Sequence, residues 1–351
     1  MHVEDSLRSK VTRTWAIVLV LVLGAGCAPG KPARPMSFGI WISEWHPEWS
    51  VLRDNPGLYD SVSFSWAHIK KDGSVHRMAP KDRDAIIRWA HGHGIKTYLT
   101  FGGGKPDIPV GISGAAGARA IRELVAMCER YGFDGLDSDI EELDGSARAP
   151  FTRFLTDLAA AARAMKVPRT LSVTLQEVTN AKDEAASFMD YAAIGRLADT
   201  VRMMCYDLSF DEPGPIMSRA GFAADLAFAL SRVPAEKFVP AVPWYGRDWN
   251  VTDHTQQDIL DRMTEKKDGI PGWDEILARY GGRPVWREPE GELSYTYTRD
   301  GKRHEVWMAD TRQFAWMTDM ARKAGVAGVY VWQVEYADPH YATEVRKAFR
   351  R

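Results

Sequence analysis

Eight short runs of β-branched and aromatic residues, spread from Phe38 to Trp332, constrain the fold of this chain more than any other feature. They are FGIWIS from Phe38, SVSFSWA from Ser61, KTYLTF from Lys96, FDGLDSD from Phe133, TLSVTL from Thr170, TVRMMC from Thr200, FVPAVP from Phe238 and GVYVW from Gly328. Most intervals carry helical spacing. Ile121, Leu124, Val125 and Cys128 follow an i, i+3, i+4, i+7 pattern, and Gly132 stands where that helix would stop. Phe151, Phe154, Leu155 and Leu158 repeat the pattern, and Ile86, Ile87 and Ala90 before Gly94 form a shorter case. Strands alternating with helices at intervals of roughly 20 to 40 residues predict an α/β fold, a (β/α)8 TIM barrel. A doubly wound open sheet is the alternative, but no glycine-rich phosphate turn follows the first strand. The interval between strands seven and eight is too long for one helix. Its middle, Val251 to Trp307, reads as a small α+β insertion. Gln257 to Met263 reads as helix there, and LSYTYT and KRHEVWMA flank the hairpin turn signal Asp300-Gly301. In a barrel, insertions after strands lie on the catalytic face.

Composition narrows the possible roles. The chain has 45 Lys plus Arg against 47 Asp plus Glu, a formal net charge of −2, and no long basic run. Nothing in that balance is suited to neutralising phosphates, so no nucleic-acid partner is expected. With 45% hydrophobic residues the chain can bury a large core. Three cysteines, Cys27, Cys128 and Cys205, cannot build a disulfide scaffold or a closed zinc site. No metal or organic cofactor is implied.

Arg8, Lys10 and Arg13 precede an apolar run from Trp15 to Leu23, then Gly24-Ala25-Gly26-Cys27. The run falls short of the roughly 20 apolar residues of a permanent span, so it reads as a signal peptide over residues 1–26 and implies export. Small residues directly before Cys27 resemble a bacterial lipoprotein processing site. On that reading Cys27 is lipidated, residues 27–36 are a tether to the membrane, and the barrel occupies residues 37–351; plain secretion is the alternative.

The most informative stretch is Asp134-Gly135-Leu136-Asp137-Ser138-Asp139-Ile140-Glu141. On a strand, Asp137, Asp139 and Glu141 share one face. Like charges aimed into a barrel cannot all ionise cheaply, so at least one carboxyl titrates high. A carboxyl that is still protonated near neutral pH can act as general acid toward a leaving oxygen.

DGLDSDIE fits the D-G-x-D-x-D-x-E signature of family 18 glycoside hydrolases, which the chain resembles from Phe38 to Arg351. TFGGG from Thr100 is similar to the family's strand-three motif. Met204-Cys205-Tyr206-Asp207 is similar to M-x-Y-D on strand six, and Tyr245-Gly246-Arg247 with Trp249 to Y-G-R-x-W after strand seven. Trp332 ends strand eight, where the family places a tryptophan. The stretch from Phe188 to Phe210 and Pro213-Gly214-Pro215 resembles the bacterial spore-cortex and peptidoglycan-acting branch. Thr100 replaces a serine, Gly104 a tryptophan, and Ile40 and Trp41 strand-one tyrosines; these changes weigh against binding of long chitin polymers.

The resemblance implies cleavage of β-1,4 bonds in N-acetylglucosamine-containing glycans, with retention through the substrate's own acetamido group, an exception to the two-carboxylate rule. It casts Glu141 as general acid, Asp139 as partner of the acetamido N–H, and Asp137 as the group sharing a proton with Asp139. Tyr206 would donate to the acetamido oxygen. Asp207, Trp332, Tyr245 and Arg247 are candidates for substrate binding, with Arg247 alternatively neutralising a nearby acid. Rival readings are a non-catalytic glycan-binding lectin on the same barrel, and a lipoprotein scaffold that merely presents the insertion. Glu141 is present, which opposes the first, and the acid row opposes the second. A monomer is expected.

Overall fold

The computed structural model describes residues 35–43, 49–103, 106–253, 255–260, 273–333 and 341–349. The expected leader, the lipidation residue Cys27 and the substituted position Gly104 lie outside the described residues.

All eight expected strand segments form barrel strands: β1 Ser37–Ile42, β2 Ser61–Ile69, β3 Lys96–Gly102, β4 Gly135–Ser138, β5 Thr170–Leu175, β6 Thr200–Met204, β7 Phe238–Pro243 and β8 Gly328–Trp332. Each pairs in parallel with the next, and β8 pairs with β1, so the sheet closes. A closed parallel barrel leaves no barrel strand unpaired and gives every strand two faces to satisfy. One face of each strand joins a continuous apolar core with the surrounding helices, including Phe64, Leu99, Phe101, Leu136, Val173 and Met203. The other face fills the barrel, and here the filling is unusually polar. Ser63, Thr100, Asp137, Ser172, Thr174 and Arg202 are all buried.

The helices form where periodicity placed them. Gly114–Tyr131 buries Leu124 and Cys128 and ends at Gly132, whose φ of 77° is the left-handed stop that glycine adopts without a Cβ penalty. Arg148–Arg163 buries Phe151, Phe154, Leu155 and Leu158. A short strand, Val75–Arg77, adds antiparallel to β2 outside the barrel closure.

Between β7 and β8 stands a five-stranded antiparallel sheet ordered Thr255–Leu260, Gly246–Asn250, Lys302–Met308, Glu292–Arg299, Val285–Arg287. Its own small core contains Ile276, Tyr295, Tyr297, Val306 and Met308. The Asp300-Gly301 turn forms as its residues suggest. Arg299 pairs with Lys302, and the two central residues have φ of 53° and 76°. Two details differ from the sequence reading. The sheet begins at Gly246, inside the Tyr-Gly-Arg motif, earlier than Val251. The expected helix from Gln257 is instead strand as far as Leu260, with residues 261–263 outside the described set. Gly246–Asn250 offers a backbone ladder beside Thr255–Leu260, and a ladder partner overrides weak local helix preference.

Candidate active site

The carboxylate row begins on the shortest barrel strand. β4 spans only Gly135–Ser138, so Asp137 is the last acid inside the ladder while Asp139 and Glu141 lie just past its C-terminal end. The ladder direction persists for one more bond, as the Asp139 N–H donates to the Phe101 carbonyl at 2.9 Å. Two glycines allow this approach. A Cβ at Gly135 would lie 2.7 Å from the Tyr98 ring, and one at Gly102 would lie 2.8 Å from the Asp139 carbonyl oxygen. The fourth acid, Asp134, precedes the strand. It accepts from the Thr97 N–H at 2.8 Å and contacts His91 Nε2 at 2.9 Å, tying the start of β4 to its neighbours and away from the row.

Asp137 is fully buried, and three donors converge on one of its oxygens. Its Oδ2 accepts from Trp41 Nε1 at 2.9 Å, Thr100 Oγ1 at 2.9 Å and Arg202 Nη1 at 2.6 Å. Its Oδ1 lies 3.5 Å from Thr174 Oγ1. Trp41 and Thr100, two of the substituted positions, therefore supply donors to the same oxygen. Arg202 was not legible as a site residue, because Val201-Arg202-Met203 reads as ordinary strand alternation. The signal that could have found it is an arginine at an inward position of a barrel strand, with an inward aspartate two strands away.

Glu141 lies partly buried. Burial, then the negative charges of Glu142 and Asp207, push its pKa up to about 7. Tyr206 titrates well above its ordinary value because of burial first, then Tyr245, Asp139, Glu141 and Asp207 around it. Its phenol is thus a proton donor at any physiological pH, and those carboxylates surround it.

Asp207, directly after Tyr206, has a φ of 60°, a left-handed conformation that costs a non-glycine residue energy. Three donors fix it there. Tyr245 OH donates to Oδ1 at 2.6 Å and Arg247 Nε to the same oxygen at 2.9 Å, with Arg247 Nη2 at 2.8 Å. Tyr245 and Arg247 are themselves buried, at 1% and 4% exposed. The structure thus brings these two together on Asp207, and their donors serve that carboxylate, the alternative weighed for Arg247. Trp332, half-buried at the end of β8, stands edge-on to Trp41 at 6.4 Å and packs, like Tyr206, against the cluster of Trp41, Val239, Ala241 and Tyr330. Among the described residues no group of three or more His, Cys, Asp or Glu side chains is arranged to hold a metal ion.

The site therefore combines a carboxyl titrating near 7, two further aspartates, a neutral phenol donor and an aromatic wall at the C-terminal end of a parallel barrel. That is the end where this fold places its chemistry. The family model for glycosyl hydrolases family 18 matches residues 39–337. The chain belongs to that family. Among curated proteins it is 24% identical over 231 residues to an uncharacterized glycosylase, YvbX, of Bacillus subtilis, covering 64% of each chain. It is 25% identical over 229 residues to the cortical fragment-lytic enzyme of the same organism, covering 63% of this chain and 51% of that one. The chain thus spans about half to two thirds of the length of these curated relatives. Among solved structures, a chitinase of Chromobacterium violaceum superposes with a TM-score of 0.79 at 24% identity, over 90% of this chain and 99% of the other. The spore cortex-lytic enzyme SleL of Bacillus cereus superposes with a TM-score of 0.76 at 18% identity, over 92% and 76%. At these identities the superpositions establish the barrel fold.

Proposed function

We propose that this family 18 protein is an exported glycosidase that cleaves β-1,4 bonds of N-acetylglucosamine-containing glycans with retention, by substrate assistance. The observation that carries the reading is Glu141, held just past the C-terminal end of β4 with its pKa near 7 beside Glu142 and Asp207, and next to Tyr206, which Asp139 also approaches. Glu141 protonates the glycosidic oxygen as the bond breaks. The acetamido oxygen of the sugar attacks its own anomeric carbon, giving an oxazolinium, and water then opens that ring with Glu141 as base. Asp139 accepts from the acetamido N–H and offsets the positive charge that develops. Tyr206 donates to the acetamido oxygen and holds it in line. Asp207 and Trp332 border the sugar, with Tyr245 and Arg247 fixing Asp207.

Incubation with chito-oligosaccharides and with purified peptidoglycan, read by mass spectrometry, tests the reaction and its substrate together. Cleavage of either by the wild type is expected, with Glu141→Gln lowering turnover by about 10²–10⁴-fold and binding retained. Activity of Glu141→Gln within a few-fold of wild type removes Glu141 from the acid role. The mechanism also requires competitive inhibition by a thiazoline mimic of the oxazolinium; a covalent glycosyl adduct on Asp139 or Asp137 overturns it.

The resemblance to the peptidoglycan-acting branch and the Cys27 motif support cell-envelope glycan as substrate, with the barrel tethered outside the cytoplasm by a lipid anchor. Two or more acyl chains hold a protein stably at a membrane, whereas one does so marginally. Cys27→Ser is expected to leave the membrane fraction or stay unprocessed. Unchanged maturation and fractionation defeats the anchor.

A further inference from the structure

The barrel interior beneath the acid row holds one charge that the proposed reaction does not use. Arg202 is 2% exposed. Its Nη1 donates to Asp137 Oδ2 at 2.6 Å and to Ser63 Oγ at 2.7 Å. The guanidinium lies over the Tyr330 ring at 3.7 Å and faces the Trp41 and Tyr98 rings at 5.2 Å each. Tyr330 OH continues the network to Ser63 at 3.1 Å.

This arrangement bears on where a proton can reside. A pair of adjacent carboxylates normally lowers its mutual repulsion by holding one proton between them. The family resemblance implies that Asp137 shares that proton with Asp139 and helps it rotate or stay ionised. Here Asp137 Oδ2 already accepts three donors, one of them a guanidinium. A guanidinium does not give up its own proton in a protein. The titratable and charged groups against Asp137 are Arg202 from β6 and Tyr330 from β8, with the Tyr98 ring of β3 on the guanidinium and Asp139 two residues further along the chain. Trp41, Ser63, Thr100 and Thr174 complete the lining.

We infer that Arg202 is a positioning residue that replaces the shared proton of the aspartate pair with a fixed positive charge. The charge balance is the same in both arrangements. Two carboxylates and one proton carry −1, and so do two carboxylates and one guanidinium. The difference is that the guanidinium cannot move. Asp137 therefore stays a carboxylate throughout the cycle, and Asp139 meets the acetamido N–H as a carboxylate without first passing a proton to Asp137. The only proton transferred in bond cleavage is then the one from Glu141 to the leaving oxygen.

The inference rests on the proposed function for its kinetic test and stands apart from it in its spectroscopic one. In wild-type protein carrying ¹³C-carboxyl aspartate, the Asp137 resonance, identified by its loss in Asp137→Asn, is expected to keep the position of an ionised carboxylate from about pH 6 to 9, above the ordinary aspartate range. A titration step in that interval overturns the inference whether or not the protein cleaves any glycan. Kinetically, Arg202→Met is expected to move the acid limb of kcat/KM up by about one to three pH units, the shift a neighbouring opposite charge commonly causes. Arg202→Lys, which keeps the charge, is expected to leave the limb near its wild-type position. An Arg202→Met enzyme that loses thermal stability while keeping its acid limb shows a packing role only and overturns the inference. If Arg202→Met does not fold, the Arg202→Lys limb and the carbon resonance still decide. Absence of turnover in the wild type would count against the proposed function and leave the resonance as the test of Arg202.

Discussion

At the scale of single residues, the site is organised by who holds each carboxylate. Asp134 is bound at the start of β4, Asp137 in the interior by a cation, and Asp207 by Tyr245 and Arg247. Glu141 is the acid whose pKa reaches about 7, through burial first and then Glu142 and Asp207. A general acid works only while protonated, so kcat/KM is expected to be level between its acid limb and about pH 7 and to fall roughly tenfold per unit above it. Asp207→Asn removes one of the negative neighbours that keep Glu141 protonated. The basic limb is then expected to move toward lower pH, whatever the loss in rate. A limb that stays in place when measured by initial rates across pH 5 to 9 would mean that Asp207 does not act on Glu141 through charge. The acids themselves were legible in the sequence because three of them alternate on a strand and form a specific motif. Arg202, Trp41 and Thr100 as their partners were not. The Arg202 and Trp41 contacts cross the barrel from β6 and β1, while Thr100 stands beside Asp137 on the paired strand β3, and no local spacing encodes contacts between distant strands.

At the scale of elements, the same distinction separates what periodicity disclosed from what it did not. The helices Gly114–Tyr131 and Arg148–Arg163 bury one stripe each, and a stripe is a local pattern. The Asp300-Gly301 hairpin is also local, since two residues with positive φ fix its register. Thr255–Leu260 became a strand for a non-local reason, the ladder offered by Gly246–Asn250. The placement of Asp139 depends on another close approach between elements. β3 passes so near the end of β4 that a methyl at position 102 would lie 2.8 Å from the Asp139 carbonyl oxygen, a backbone atom that cannot swing aside. Gly102→Ala is therefore expected to push Asp139 away from the acetamido position. Misplacement by about 1 Å can cost about a hundredfold in rate, so a loss of tenfold to a hundredfold in kcat is expected while the protein still folds. Near wild-type kcat, with a crystal structure showing Asp139 unmoved, would show that the two strands can separate without consequence.

At the scale of the whole molecule, several carboxyls are buried in different places, and all press on stability in the same direction. Glu141 titrates at about 7. Asp225, buried on the helix Arg219–Leu230, is pushed up to about 8 by burial and then by Glu177. Glu292 joins the insertion to the barrel by accepting from the Ile216 and Met217 N–H groups at 3.1 and 3.2 Å and from Gln313 Nε2 at 2.8 Å. Burial outweighs those donors and holds its pKa at about 8. In the unfolded chain each group returns to an ordinary carboxyl value near 4. Between that value and the folded one, the folded state binds the extra proton, so stability falls as pH rises. The contribution is whole below about pH 4 and gone once pH has passed about 8. Asp72, Glu123 and Asp253, whose hydrogen bonds lower their pKa, act oppositely but only in acid, since they are ionised in both states above about pH 5. Thermal unfolding is therefore expected to show a midpoint that declines from about pH 6 to pH 8.5, steepest near 7 to 8. Glu292→Gln keeps the shape and cannot ionise; its single amide oxygen replaces only one of the two carboxylate oxygens that accept from Ile216 and Met217, a loss that is the same at every pH. The variant is expected to flatten that decline, more at pH 8.5 than at pH 6. A midpoint that rises across this interval in the wild type, or an equally steep decline in Glu292→Gln, would show that Glu292 already stands ionised in the folded protein.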